Sequence, residues 1–224
     1  MIVARVAVFG LAWGLASLAG WILAAEALRP AIAFTTDAQS AVANYAQRDA
    51  AITAARVGVV RGDLWSEAAF AYGGTLWNQG KATPNAGMPP FNRTQELTER
   101  AIAHAPHDSR LWLLLAVNYF RFDWLNERAA AALRMSYYTG SSLMTVVPQR
   151  MVLAMQSRAL QDGDFQDLVR HDIRIALAHK PELMSALSAA YDNAPPSGRE
   201  FMERTLAEFD PSALATVRSG SERR

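Results

Sequence analysis

The chain has 224 residues with 22 Lys or Arg against 21 Asp or Glu, which suits one principal domain plus an appended segment and excludes the basic excess that holds phosphate backbones. Setting aside Arg5, Arg29 and Glu26 near the N-terminus leaves equal numbers of each sign, so the body is neutral and no nucleic-acid partner is expected. The absence of cysteine excludes disulfides, thiolate metal sites and cysteine nucleophiles, and fits either redox compartment.

Residues 6–25, VAVFGLAWGLASLAGWILAA, carry no charge and one hydroxyl, Ser17. At about 1.5 Å per residue they reach about 30 Å, the hydrocarbon thickness of a bilayer. A membrane anchor over residues 1–30 is the direct expectation. Ala25-Glu26-Ala27 also has the small-x-small form of a cleavage site, downstream of Arg5, so a removed leader is the alternative. The length of the run, with Trp21 near the end where an indole meets the interface, favours an uncleaved signal-anchor. Arg5 and the terminal amine place the N-terminus in the cytoplasm and the body outside it. Gly10 and Gly14 form a GxxxG pair, a candidate contact with another membrane helix.

Beyond Pro30 the residues are helix formers without strand-like alternation. Helices are predicted over about 36–57, 63–77, 93–105, 109–121, 125–138, 148–161, 164–179, 182–192, 198–208 and 211–217. Asn92 with Gln95 and Ser197 with Glu200 have capping-box spacing, Pro148 suits a first turn, and Asp210-Pro211 reads as cap and first residue. Residues 31–62 form a connecting helical region. Residues 63–211 form the main domain, with an inserted loop at 78–92 that three Pro and two Gly keep from being helical. Residues 212–224 form a polar, frayed tail.

Within the main domain two stretches share a pattern. Trp65, Ala68, Ala69 and Tyr72 are spaced like Trp112, Leu115, Ala116 and Tyr119. Trp and Tyr at i and i+7 share a helix face, and the small residues between them admit a neighbouring helix. Two further near-copies, AIAHAP at 101–106 and ALAHKP at 176–181, place Ala101 and Ala176 five residues before Pro106 and Pro181. The alanine suits packing, and the proline ends one helix before the next.

These residues resemble the tetratricopeptide repeat, whose signature runs W-x2-L-G-x2-Y and closes with a small residue five before a proline. With Pro106 at position 32 of a 34-residue unit, position 4 of the next unit falls on Trp112. Departures are Ala69 and Ala116 in place of Gly, Gly140 where Pro would close the second unit, and Arg128 near an expected Ala. The resemblance implies an all-α fold, a right-handed solenoid of helical hairpins after one transmembrane helix. It also implies a non-enzymatic scaffold or assembly subunit that binds a protein partner in a complex of the bacterial inner membrane, with polysaccharide synthesis or export, or redox-complex assembly, as settings. Asn118, Arg121 and Arg128 are its candidate partner contacts, joined by Tyr137, Tyr138 and the loop around Met88-Pro89-Pro90-Phe91.

No catalytic residue, cofactor or metal is expected. His104 and His107 flank Pro106, which denies them the geometry of a helical ligand pair, so capping or solvated histidines are expected there and at His179. Asp162, Asp164, Asp167 and Asp172 read as a helix start with a solvated face, Asp167 pairing with Arg170. Two other function classes stand beside the scaffold. One is a processed soluble periplasmic protein that binds a small ligand or glycan in a cavity lined by Trp65, Trp77, Trp112 and Trp124. The other, ranked last, is a hydrolase using Asp162, Asp164 and Asp167.

Overall fold

The computed structural model describes residues 2–35, 37–77, 91–122, 127–179 and 181–222. Among them are twelve α-helices, three short 3-10 segments and no strand, as an all-α chain requires. The described parts of Met1–Asn78 and Met88–Ala105 form one compact unit, and those of Pro106–Arg224 a second. The boundary between Ala105 and Pro106 divides the main domain expected from the sequence, within the phrase AIAHAP.

The first unit begins with α1 (Ile2–Ala27), apolar on every side, with Val6, Phe9, Leu11 and Trp13 between 66% and 73% exposed. Helices of that kind belong in a core or a membrane. This one is long and apolar enough to cross a bilayer, as a signal sequence also is. The single helix expected over 36–57 is two, α2 (Ala38–Ala46) and α3 (Arg48–Gly58). Gln47, with ψ near 5°, turns the chain off the helix axis, and its N–H bonds the Asn44 carbonyl at 3.0 Å in a 3-10 pattern. Asn44 in turn donates its amide to the Ala33 carbonyl at 2.9 Å, which fixes the segment between α1 and α2 against α2.

Helix α4 (Gly62–Gly73) runs into a 3-10 turn at Gly74–Trp77, and α5 (Phe91–His104) packs along it. The two are antiparallel, because a Cβ on Gly62 at the start of α4 would lie 2.9 Å from the carbonyl oxygen of His104 at the end of α5. Leu64, Trp65, Ala68 and Ala69 of α4 and Leu97 and Ala101 of α5 are buried in this unit. Because α5 already includes Phe91, Asn92 is inside the helix rather than its cap, and Gln95 bonds Glu99 instead.

The second unit opens with α6 (Ser109–Phe122) and α7 (Glu127–Thr139), also antiparallel. The Ser136 hydroxyl near the end of α7 donates to the Ser109 carbonyl at the start of α6, 2.9 Å away. A Cβ on Gly140 would stand 2.3 Å from the Ser109 hydroxyl oxygen, so the end of α7 approaches α6 as only glycine allows. That contact explains the departure from the repeat signature at Gly140.

A break at Ser157 divides the expected 148–161 helix into α8 (Val147–Gln156), with proline in its first turn, and a 3-10 turn at Arg158–Gln161. Ser157 is extended, and its hydroxyl accepts the Ala159 N–H at 3.1 Å. Asp162 caps α9 (Gly163–Ala178). Then come α10 (Met184–Asp192), α11 (Pro196–Phe209) and α12 (Pro211–Glu222). Pro195 occupies the cap of α11, so Ser197 lies within the helix and not at its cap. Asp210 does cap α12, accepting from the N–H groups of Ser212 and Ala213. The expected frayed tail is helical to Glu222, with Ala213 and Val217 buried.

One buried ion pair organises this unit. Arg150 of α8 and Asp172 of α9 are both wholly enclosed, joined by bonds of 2.8 Å from Nε and 2.6 Å from Nη2. The remaining guanidinium donors take carbonyls at the end of α7, Gly140 at 2.8 Å and Ser136 at 3.2 Å, and the group lies over the Tyr137 ring. Arg150 thus caps α7, whose last carbonyls have no helical partner. Burial raises the Asp172 carboxyl above its ordinary range, opposed by Arg150. Asp172 is therefore no part of a solvated acidic face, and Arg170 reaches Glu208 at 2.7 Å instead of serving as a local partner for Asp167.

Arg150→Ala, which strands Asp172 in the interior, is expected to cost about 3–5 kcal/mol, and Arg150→Met combined with Asp172→Leu distinctly less. Urea unfolding of the full chain in mild detergent, followed by circular dichroism, measures both; equal losses would refute a charge-stranding cost.

Candidate functional site

The densest set of polar contacts in the first unit lies where α1 meets it. The Trp21 indole N–H donates to the Val57 carbonyl at the end of α3, 2.5 Å away. Ala25 is buried, and a Cβ on Gly58 would lie 3.7 Å from the Ala25 Cβ. The last turns of α1 are therefore packed against α3.

A five-residue charge network surrounds this contact. Arg29 grips Glu67 of α4 through Nε, 3.0 and 3.1 Å from the two carboxylate oxygens, and through a further bond from Nη2. It also reaches Glu26 at 3.1 Å and Asp63 at 3.5 Å. Arg61 completes the set, 2.7 Å from Glu26 and 2.6 Å from Asp63. The Arg61 hydrogen bonds, and behind them the charge of Arg29, hold the Asp63 carboxyl below the usual aspartate range. Three carboxylates and two guanidiniums bind the end of α1 to the start of α4.

Between Val57 and Arg61 the backbone is strained. Val59 has φ 34° and ψ −64°, a left-handed geometry that costs a β-branched residue about 1–3 kcal/mol. Its carbonyl accepts the Trp65 indole N–H at 2.8 Å, while Val59 and Val60 are 50% and 66% exposed.

The residues expected to pack the repeats are placed as follows. Trp65, Ala69 and Ala101 are buried in the first unit, and Tyr72 is half-buried with its ring edge-on to Tyr45. Leu115, Ala116, Tyr119 and Ala176 are buried in the second, and Trp112 is half-buried. Pro106 and Pro181 are exposed at turns. Trp65 and Trp112 are each the fourth residue of their helix and donate the indole N–H to the carbonyl six positions back: Trp65 to Val59 and Trp112 to Pro106, both at 2.8 Å. Gln166, fourth in α9, closes on Leu160 in the same way.

The histidines sit at helix ends. His104 stacks on Trp65 with ring centroids 6.2 Å apart, and the His179 Nδ1 lies 2.9 Å from the Ile175 carbonyl. Asp108 pairs with Arg110 at 2.7 Å, His107 is exposed, and the described residues hold no group of three metal-ligating side chains. Asp162 caps α9 and reaches Arg134 at 2.6 Å, while Asp164 and Asp167 are exposed.

Among the candidate partner contacts Asn118 is fully buried, Arg121 half-buried and Arg128 exposed. Tyr137 is buried and Tyr138 is 66% exposed. Gly10 and Gly14 have open space where a Cβ would stand. The loop at Met88-Pro89-Pro90, the side chains of Trp77 and Phe91, and Trp124 lie outside the described residues. An open cleft of about 450 Å³ in the second unit is lined by Met155, Gln156, Arg158, Glu200, Phe201 and Arg204 among others, with no tryptophan in its wall.

Two features had no place in the sequence reading, the charge network and the Arg150–Asp172 pair. The second had a signal: Arg150 follows Val147 and precedes Met151 and Ala154 at helical spacing, an arginine on an otherwise apolar face. The network joins residues up to 38 positions apart, beyond what any local pattern marks.

Because the folded value for Asp63 lies below the unfolded one, its contribution is present above the ordinary aspartate range of about 3.9 and is lost as the pH falls through the lowered folded value. The full chain is expected to melt higher than Asp63→Asn at neutral pH, with the gap closing below about pH 4. A gap that did not narrow at all on acidification would remove the ion pair from the account. Trp65→Phe deletes the indole N–H and leaves a smaller ring in a buried site, and should cost more than the hydrogen bond alone, about 0.5–1.5 kcal/mol, in the same unfolding assay.

No protein-family model matches this chain, and no curated protein or solved structure shows significant similarity to it.

Proposed function

We propose that this protein is a non-enzymatic, membrane-anchored helical scaffold of tetratricopeptide-like hairpins. It docks a protein partner in a complex of the bacterial inner membrane, its N-terminus cytoplasmic and its body periplasmic. The observation that carries this reading is the way α1 ends. A leader that is to be removed has no need of packing into the mature fold, whereas here Trp21 and Ala25 meet the end of α3 and Glu26 pairs with Arg61 in the turn that follows it. Cleavage after Ala27 would uncover the end of α3 and leave Arg61 without its Glu26 partner.

The repeat resemblance is supported by two antiparallel helix pairs, α4 with α5 and α6 with α7, and by the equivalent indole closures of Trp65 and Trp112. Helical hairpins in series offer extended surface for a partner. The ligand-binding alternative draws on a tryptophan-lined cavity, but the N–H groups of Trp65 and Trp112 are engaged by their own backbone. Polysaccharide export and redox-complex assembly are the settings that the resemblance suggests.

Purification from the native host in mild detergent, with intact-mass and subunit analysis, tests the proposal. The expected result is a chain that retains residues 6–25 and copurifies with an envelope protein at fixed stoichiometry. A chain shortened by about 25 residues, the length of a signal peptide, and free of any partner would overturn it.

A further inference from the structure

We propose that the turn between α3 and α4, carrying Val59 and Val60, inserts into the lipid interface beside α1, so that the first unit is seated on the bilayer by two points instead of hanging from one. The inference rests on the anchored reading of α1 and adds to it which surface of the unit meets lipid.

Depth is set by contacts to α1. The Val57 carbonyl meets the Trp21 indole, Gly58 faces Ala25, and Arg61 pairs with Glu26. The turn is therefore level with residues 21–26, the last part of the apolar run. At about 1.5 Å per residue it starts about 6 Å inside the end of that run at Ala25. Apolar faces of interfacial segments bury to about 5–10 Å, so a turn at this height reaches the acyl boundary.

The side chains at that height suit lipid. Val59, Val60 and Trp21 are 50%, 66% and 37% exposed, beside the exposed apolar side chains of α1 such as Leu18 and Ile22. Exposed Arg56 precedes the turn in the last turn of α3, and after the two valines the charges resume at Arg61, which with Arg29, Glu26, Asp63 and Glu67 forms a paired layer at the end of α1. An apolar tip followed at once by paired charges is the order of a bilayer boundary, where an indole also takes its preferred place. The left-handed backbone of Val59, clamped by Trp65, holds the two valines out from the unit's own core.

The chain has no cysteine, so single spin labels can be introduced cleanly. Full-length Leu15→Cys, Val59→Cys and Val60→Cys variants, labelled and reconstituted in vesicles of phosphatidylcholine and phosphatidylglycerol, would be compared for collision with oxygen and with a water-soluble nickel chelate. Leu15 is expected to read as acyl-chain buried. Val60 should show an oxygen-to-nickel ratio several-fold above free label in buffer, and Val59 reports the same turn if the Val60 variant does not fold. Aqueous readings at both valines with Leu15 in lipid would overturn the inference and leave the anchor standing. An aqueous Leu15, or its removal by cleavage, would overturn the anchor and the inference with it.

Discussion

The apolar circumference of α1 is the constraint from which the rest of the first unit follows. At about 25 cal/mol per Å² of apolar surface, leaving a helix of this composition in water costs more than the whole net stability of an ordinary domain. Among the described residues only its C-terminal turns find cover, through Ala25 and Trp21 against α3. The remainder is long and apolar enough to cross a bilayer, the surroundings that the anchored reading proposed above gives it. Everything around its end has the form of a boundary: an indole, then a strained apolar turn, then a layer of paired charges.

The second unit solves the opposite problem. There a guanidinium is removed from water, and the cost is met by a bidentate carboxylate and by helix-end carbonyls that would otherwise lack partners. Replacing such a pair with apolar side chains often leaves stability unchanged or better, so the pair is better understood as a specifier. It joins α7, α8 and α9 in one register, in which the carboxylate and the helix-end carbonyls meet the guanidinium donors. The exposed ion pairs elsewhere in this unit, such as Arg218 with Glu203, contribute far less.

Helical class and most helix positions were legible because apolar spacing and proline placement are local. Pro148, Asp210 and Pro211 marked real ends. The predictions failed where a single side chain or dihedral outweighed the local pattern: Gln47 divides one expected helix, Ser157 another, and two prolines displace Ser197 from its cap. Ala69, Ala101, Ala116 and Ala176 and one of the two matched tryptophans, Trp65, are buried in their units, whereas Trp112 is half-buried. Asn118 shows the limit, because an asparagine on a helix looks alike in sequence whether it faces a groove or the core. The charge network depends on tertiary placement alone, and its members looked like ordinary surface residues.

The segment joining α1 to α2 is not a free hinge. Arg29 is held by Glu67, Ile32 is buried, and Phe34 meets Phe70 edge-on at 5.3 Å. In mechanical terms α1 is then a lever and not a tether. Membrane helices lie at tilts of about 20° on average, and for a helix spanning about 30 Å that angle displaces one end by about 10 Å relative to the other. A first unit fixed to such a lever turns with it, so on the proposed anchored reading a change in bilayer thickness reaches that unit as a rotation.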